Sequence, residues 1–264
     1  MLDGFLKEVQ PYPVNGKILG LLVPHAGYQY SGRVAAQGFA SVMGLTFDTV
    51  VVIGPTHYPA SAPILTTAHD AYETPLGTVA VHHAALTALG DIVGLKAVRN
   101  DTYHAIEIEL PFLQFVLKPG FSLVPLMLAD QSWPVTSALG AALAQTFAGK
   151  KCLFVASSDL SHYYPQTVAN EFDRTMLECV SAIEPEQVIR YNQAGLAFAC
   201  GSGAIATLLC VMQAYNASNA HILGYATSGA VTGDYEEVVG YGAAIFWQTA
   251  SPTTPPPPGI THGD

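Results

Sequence analysis

Three short segments each carry a histidine directly after a run of aliphatic and β-branched residues. LLVPHAGYQYSG carries His25, VVIGPTHYP carries His57, and FVASSDLSHYYP carries His162 with Asp159 three residues before it. Histidine titrates near neutrality and its neutral ring is a common metal ligand, so the set suits metal binding, proton transfer or both. One histidine after a strand is usually an ordinary loop or core residue. Three in equivalent positions support one another, because ligand sites are built from polar groups that converge in one pocket. Cys200, in FACGSGAIATLL, precedes a glycine loop and an expected helix start. There a thiolate gains from free backbone N–H groups and from the helix dipole, and thiolate is the form that binds metal or attacks carbon. Spacing alone leaves an equal reading, in which Cys200 is a small buried hydrophobe. Cys152, Cys179 and Cys210 fall inside expected elements and read as core. In DTYHAIEIELPFLQF, His104 and Glu107 share a helix face, and a buried Glu there would orient a histidine. An exposed Glu face, with Leu110, Phe112 and Leu113 inward, is the plainer alternative.

Elements that could position these residues follow from the hydrophobic pattern. Strands are predicted at Ile18–Val23, Thr49–Ile53, Ser122–Met127, Cys152–Ala156, Ile222–Tyr225 and Val238–Trp247. Helices are predicted at Gly32–Val42, His83–Leu89, Ile106–Leu117, Pro134–Phe147, Gln166–Ala182, Pro185–Asn192 and Gly203–Tyr215. Strands separated by helices of this length imply crossover connections and an α/β fold, with a mostly parallel central sheet covered by helices on both faces. In such sheets ligands sit beyond the carboxyl ends of the strands, where His25, His57 and Asp159–His162 are expected to meet. No phosphate-binding glycine signature is present.

Composition narrows the function classes. The 264 residues are 50% hydrophobic and 11% charged, against about 25% charged in a typical soluble domain. That depletion predicts a large apolar interior and leaves room for a homo-oligomeric face. The net charge is −10 with ten Lys and Arg, too few basic residues for a phosphate-binding patch, so nucleic acid is not an expected partner. No basic-then-apolar leader opens the chain, which predicts a cytoplasmic protein with reduced thiols. The uncharged stretch 194–219 is broken by Gly201 and Gly203 and reads as a buried helix after a glycine loop, not a membrane span. One domain over residues 1–248 is expected. The tail over 249–264, SPTTPPPPGITHGD with its preceding Thr249 and Ala250 context, is expected to be an extended, disordered Pro-rich segment, and His262 belongs to it.

Together PHAGYQYSG, GPTHYP, YHAIEIELPFLQ, SSDLSHYYP, ACGSGAIATLL and YATSGAVTGDYEEVVGYGAAIF resemble the Memo family, whose bacterial and archaeal members are often labelled AmmeMemoRadiSam system protein B. The resemblance runs in order from about residue 3 to residue 247. It implies the fold of class III extradiol dioxygenase catalytic subunits, which are non-haem Fe(II) enzymes. By motif, His25 and His57 correspond to the histidine ligands, and Cys200 to a third ligand where the dioxygenases use a carboxylate. Asp159 and His162 correspond to pocket residues near the metal, and His104 falls where the family also has a histidine. The segment reads YHAIE where EHSIE is usual, so Tyr103 and Ala105 depart from the pattern.

The resemblance implies one transition-metal ion, Fe(II) first with Cu or Zn as alternatives, and redox or dioxygenase-like chemistry on a small organic substrate. On that reading His162 exchanges protons, oriented by Asp159, with His104 as a further site residue. A metal-free thiol hydrolase with Cys200 as nucleophile, His162 as base and Asp159 as orienter is a second reading. An adaptor with a vestigial pocket, a role described for eukaryotic relatives, is a third.

Overall fold

Seven consecutive residues, Thr49 to Pro55, are buried, which only a strand covered on both faces can achieve. Side chains alternate across such a strand. Val50 and Val52 pack into one apolar layer, Val51 and Ile53 into the other. The computed structural model, which describes residues 1–99 and 104–249, builds this pattern into a sheet. Its strands are β1 (Gly16–Val23), β2 (Thr49–Pro55), β3 (Ile64–Thr67), β4 (Ala71–Thr74), β5 (Gly77–Ala80), β6 (Lys96–Val98), β7 (Ser122–Leu128), β8 (Cys152–Ser157), β9 (His162–Tyr164), β10 (Asn219–Thr227) and β11 (Val238–Thr249). The helices are α1 (Leu2–Lys7), α2 (Tyr28–Ala40), α3 (His83–Val93), α4 (His104–Glu107), α5 (Leu110–Val116), α6 (Trp133–Thr146), α7 (Gln166–Ser181), α8 (Pro185–Ala194), α9 (Ser202–Ala214) and α10 (Gly229–Thr232). Tyr103 and the Pro-rich tail from residue 250 onward, His262 included, lie outside the described residues.

The main sheet runs β10-β11-β1-β8-β2-β7-β3-β6, with β9 pairing β11. Its centre, β1-β8-β2-β7, is parallel, as crossover helices require. Its flanks bring in antiparallel pairs, β11 against β1 and β10 on one side and β3 against β7 on the other. The chain's α/β architecture is thus a central sheet between two helical layers. Ala35, Ala36 and Phe39 of α2 and Phe112 and Leu113 of α5 cover one face, where Phe39 and Phe112 stack at 4.8 Å. Residues of α3, α6, α7, α8 and α9 cover the other. The uncharged stretch 194–219 contains α9, in which Ser202 to Leu209 are all buried against the sheet. No helix among the described residues is long and apolar enough to cross a membrane.

Register carries the fold to the site. Val23 pairs with Ser157 and Ala156 with Ile53, so β1, β8 and β2 end at one level. The turns that follow carry His25, Asp159 and His57 to the same edge.

Two of the departures from the sequence expectation shape the site. The single helix expected over Ile106–Leu117 is two, α4 and α5. Pro111 has no N–H to donate, so it fits in the first turn of a new helix and not within a continuing one. The break leaves Glu109 as the residue before α5, and it is buried. The segment after Asp159, where no element is predicted, forms β9 on β11. Three residues are too few to show a strand period.

Candidate metal centre at the carboxyl edge of the sheet

The imidazoles of His25, His57 and His104 converge. One ring nitrogen from each lies within 4.8 Å of the other two. The rings of His57 and His104 stack at 4.9 Å, and His25 stands edge-on to both at 5.5 Å. His25 is buried, while His57 and His104 face the opening. The close approach of α4 to β2 depends on Gly54. A Cβ there would come within 2.9 Å of the Cβ of Ala105. The missing side chain lets α4 settle onto the end of β2, with His104 beside His57.

A chain of hydrogen bonds fixes His25 from behind. The Ser157 hydroxyl donates to Glu109 Oε1 at 2.8 Å. Its lone pair faces His25 Nδ1 at 3.0 Å. With the serine proton given to Glu109, Nδ1 carries the imidazole proton and Nε2 keeps its lone pair for the cluster. The backbone is fixed too: the N–H groups of His25 and Ala26 both donate to Asp159 Oδ1, at 2.8 and 3.1 Å.

Cys200 joins through His25. Its Sγ lies 3.2 Å from His25 Nε2 and accepts the Asp159 N–H at 3.3 Å. Gly201 makes this possible, since a Cβ there would sit 2.8 Å from the Ser157 carbonyl oxygen. Gln131 closes the turn, donating to the Cys200 carbonyl at 2.9 Å and accepting the Gly203 N–H at 2.7 Å.

Burial dominates the electrostatics. It drives His25 well below the ordinary histidine range, helped by His57, His104 and His162. It lowers His57 as well, with His104 adding to the effect and Asp159 opposing it. It raises Glu109 well above the carboxylate range against the Ser157 hydrogen bond. Asp159 is raised too, against the His25 N–H. The Cys200 thiol is pushed up to about 12 by burial and then by Asp159, which outweigh the N–H groups around it. The helix-start effect expected to favour a thiolate is therefore overcome. Burial thus favours the neutral imidazole at His25 and His57 and the protonated thiol at Cys200.

His162 stands at the margin, its Nδ1 2.8 Å from the Leu160 carbonyl oxygen. The orienting bond expected from Asp159 is not made: Asp159 Oδ1 accepts the His25 and Ala26 N–H groups, and His162 Nδ1 meets the Leu160 carbonyl instead. Asp173 steadies the turn instead, accepting the Ser161 N–H and the Tyr225 hydroxyl, each at 2.8 Å. The next residue, Tyr163, has φ 60° and is 71% exposed. Sequence reasoning missed Ser157, Gln131 and Asp173. Ser157 reads as the last strand residue, and neither of the others stands in a motif that signals its distant partner.

A sequence model of the family described as Memo-like protein matches residues 1–245. The chain belongs to the Memo family. Among its relatives are a MEMO1 family protein of Methanosarcina barkeri, 36% identical over 231 residues and 86% of each chain, and one of Thermotoga sp. strain RQ2, 39% identical over 249 residues, 90% of this chain and 87% of the relative. The crystal structure of an uncharacterized Escherichia coli K12 protein is similar with a TM-score of 0.52 at 14% identity, covering 86% of this chain and 99% of that one. At that identity the likeness concerns the fold alone.

Proposed function

We propose that this Memo-family chain is a non-haem metal protein that carries out redox or oxygen chemistry on a small organic molecule. The observation that carries the reading is the convergence of His25, His57 and His104 within 4.8 Å at the carboxyl edge of the sheet. The donor set fits a transition metal. Imidazole nitrogen suits Fe, Cu and Zn, whereas Mg and Ca prefer oxygen. Fe(II) is the cation the redox reading favours, with Cu and Zn as alternatives. Nε2 of His25 is left with its lone pair, and the Ser157–Glu109 chain behind it is the support that metal-ligating histidines generally have. Two buried carboxyls with raised pKa values, Glu109 and Asp159, support His25, whose own pKa is lowered by burial, as is that of His57.

His25, His57 and His104 would hold the metal, and Cys200 would add a sulfur donor by giving up its proton. When bound, a redox metal supplies one-electron chemistry and Lewis acidity. The chain does the rest. Ser157 and Glu109 hold the His25 ring, and Asp159 holds its backbone. His162, anchored at Nδ1, holds or moves a proton at its Nε2. The test pairs iron uptake with oxygen consumption in the presence of small aromatic or dicarbonyl compounds. His162→Ala should keep uptake and lose turnover by about 10²–10⁴-fold, the usual share of a positioned acid or base. Full turnover in that variant would remove the assignment of His162.

The 3.2 Å contact between Cys200 and His25 favours a second reading, thiol catalysis with His25 as base. Burial lowers the imidazole and raises the thiol, so both partners rest neutral, which is the opposite of an activated pair.

A further inference from the structure

A cavity of about 570 Å³ lies against the imidazole cluster, within the 300–1,000 Å³ usual for small-molecule sites. His104 belongs to both, with its ring stacked on His57 and its side chain in the cavity lining. The walls are Tyr28, Leu76, Ile108, Pro111 and Phe115, drawn from the start of α2, the β4–β5 turn and the α4–α5 segment. Tyr28 is locked in place, its hydroxyl donating to the Ile108 carbonyl at 2.7 Å and its ring edge-on to Phe112 at 5.5 Å. Leu76 and Phe115 are 52% and 44% exposed, so apolar surface meets water at the cavity.

The charged side chains of the described lining are all acidic, Asp3, Glu73 and Glu107, and Met1, which carries the α-amino group, lines it too. Asp3 is paired with Lys7 at 2.7 Å. Glu73 and Glu107 make no ion pair among the described residues. No Lys or Arg belongs to that lining.

We infer that this cavity receives the body of the substrate, and that the body is a flat apolar group, such as an aromatic ring, bearing a protonated amine. The inference rests on the metal reading above, because the cavity matters to the reaction only through the imidazole it shares with the cluster. Apolar walls supply contact area without choosing a charge. The carboxylates of Glu73 and Glu107, without an ion pair among the described residues and outnumbering the Met1 α-amino group, choose it, favouring a cation and opposing an anion. A ring against Tyr28 and Phe115 shares the cavity with His104, which leads to the imidazoles, and with Glu73 and Glu107, which suit the amine. Exposed carboxylates act weakly one at a time, so the apolar wall sets most of the affinity and the acids set the discrimination.

The probes are 2-phenylethylamine and phenylacetate, which share a ring and differ in the sign of their charge. Ligand-observed NMR would measure both against the full chain, metal-free and loaded with Fe(II) under argon, with iron uptake recorded on the same samples. The amine should bind both forms, and phenylacetate should bind at least about tenfold more weakly. Phe115→Ala should weaken the amine by about tenfold, in line with losing one aromatic contact, and Leu76→Ala by less. Glu107→Gln should weaken it by about two- to fivefold, the range of an exposed ion pair. Fe(II) should broaden the resonances of the bound amine. Equal binding of amine and acid, binding indifferent to Phe115→Ala, or a bound amine untouched by bound Fe(II) would each overturn the inference. Iron uptake without amine binding would overturn it and leave the metal reading standing. Amine binding that Phe115→Ala weakens, in protein that takes up no iron, would support the pocket and remove the metal reading.

Discussion

Ser157→Ala removes one hydroxyl and cuts the chain that joins Glu109 to His25. The serine is fully buried, so water does not readily replace the lost oxygen. Two effects follow. His25 Nδ1 loses its partner at 3.0 Å, and with it the preference for the tautomer that leaves Nε2 free. Loss of such a supporting partner costs about 10–100-fold in metal affinity, or about 1.4–2.8 kcal/mol at ~1.4 kcal/mol per tenfold. Glu109 Oε1 also loses its donor at 2.8 Å in a buried position, which costs roughly 1–3 kcal/mol of folding stability. The assay is calorimetric titration of the metal-free variant with Fe(II) under argon, beside thermal unfolding of the same sample. The expected result is weaker binding together with a lower Tm. A variant with lowered Tm that still binds Fe(II) with native affinity would refute the role of Ser157 in orienting His25, because the hydrogen bond would then serve folding alone.

Glu109 gives a prediction with a definite sign. Its folded pKa is raised, so the folded chain binds more protons than the unfolded chain above the ordinary glutamate value of 4.5. Stability from this group is therefore full below pH 4.5 and falls as pH rises toward the folded pKa. Glu109→Gln should flatten that decline in the metal-free chain, read from chemical denaturation at several pH values; an unchanged slope would contradict it. His25 and His57 act in the opposite sense, since their lowered pKa values cost stability as pH falls below 6.5. Cys200 should release about one proton on metal binding near neutral pH, because its thiol sits near 12 before the cation arrives and a thiolate is the ligating form. Titrations in buffers of different ionisation enthalpy count that proton, and Cys200→Ser releasing as many as the native chain would remove the thiolate from the ligand set. Gly54→Ala should push α4 away from β2 at the cost of about 1–3 kcal/mol and weaken metal binding through His104, while leaving the Cys200–His25 contact intact. Native metal affinity in that variant would contradict the account of how His104 is placed.

How far the sequence reveals this molecule depends on whether the deciding interaction is local. The parallel centre is legible because β2 and β8 are buried on both faces and leave continuous apolar runs. The convergence of His25, His57 and the Asp159 turn follows from that centre, since parallel strands of matched register end at one edge. The place of His104 is harder to read. It depends on the absence of a side chain at Gly54, fifty residues away in sequence. The Glu read from the sequence as a possible support for a histidine, Glu107 beside His104, is exposed, and the buried one is Glu109. Pro111 starts a new helix, and Glu109 just before it meets Ser157 and through it His25. The pairing of Asp159 with His162 looked natural from a three-residue spacing. In the structure Asp159 Oδ1 accepts two backbone N–H groups of the His25 turn, and His162 turns its Nδ1 to the Leu160 carbonyl, which spacing cannot reveal. The short strands β3, β6 and β9 have four residues or fewer and leave no period to detect.

The central claim is that His25, His57 and His104 hold a transition metal, and metal content tests it most directly. The chain would be purified without air and without a metal-affinity tag, beside His57→Ala, and both analysed for iron, copper and zinc. The account predicts close to one equivalent of iron, or of copper or zinc in its place, in the native chain and a large loss in the variant. A native chain that carries none of these metals and takes up none on addition of Fe(II), Cu(I) or Zn would contradict it.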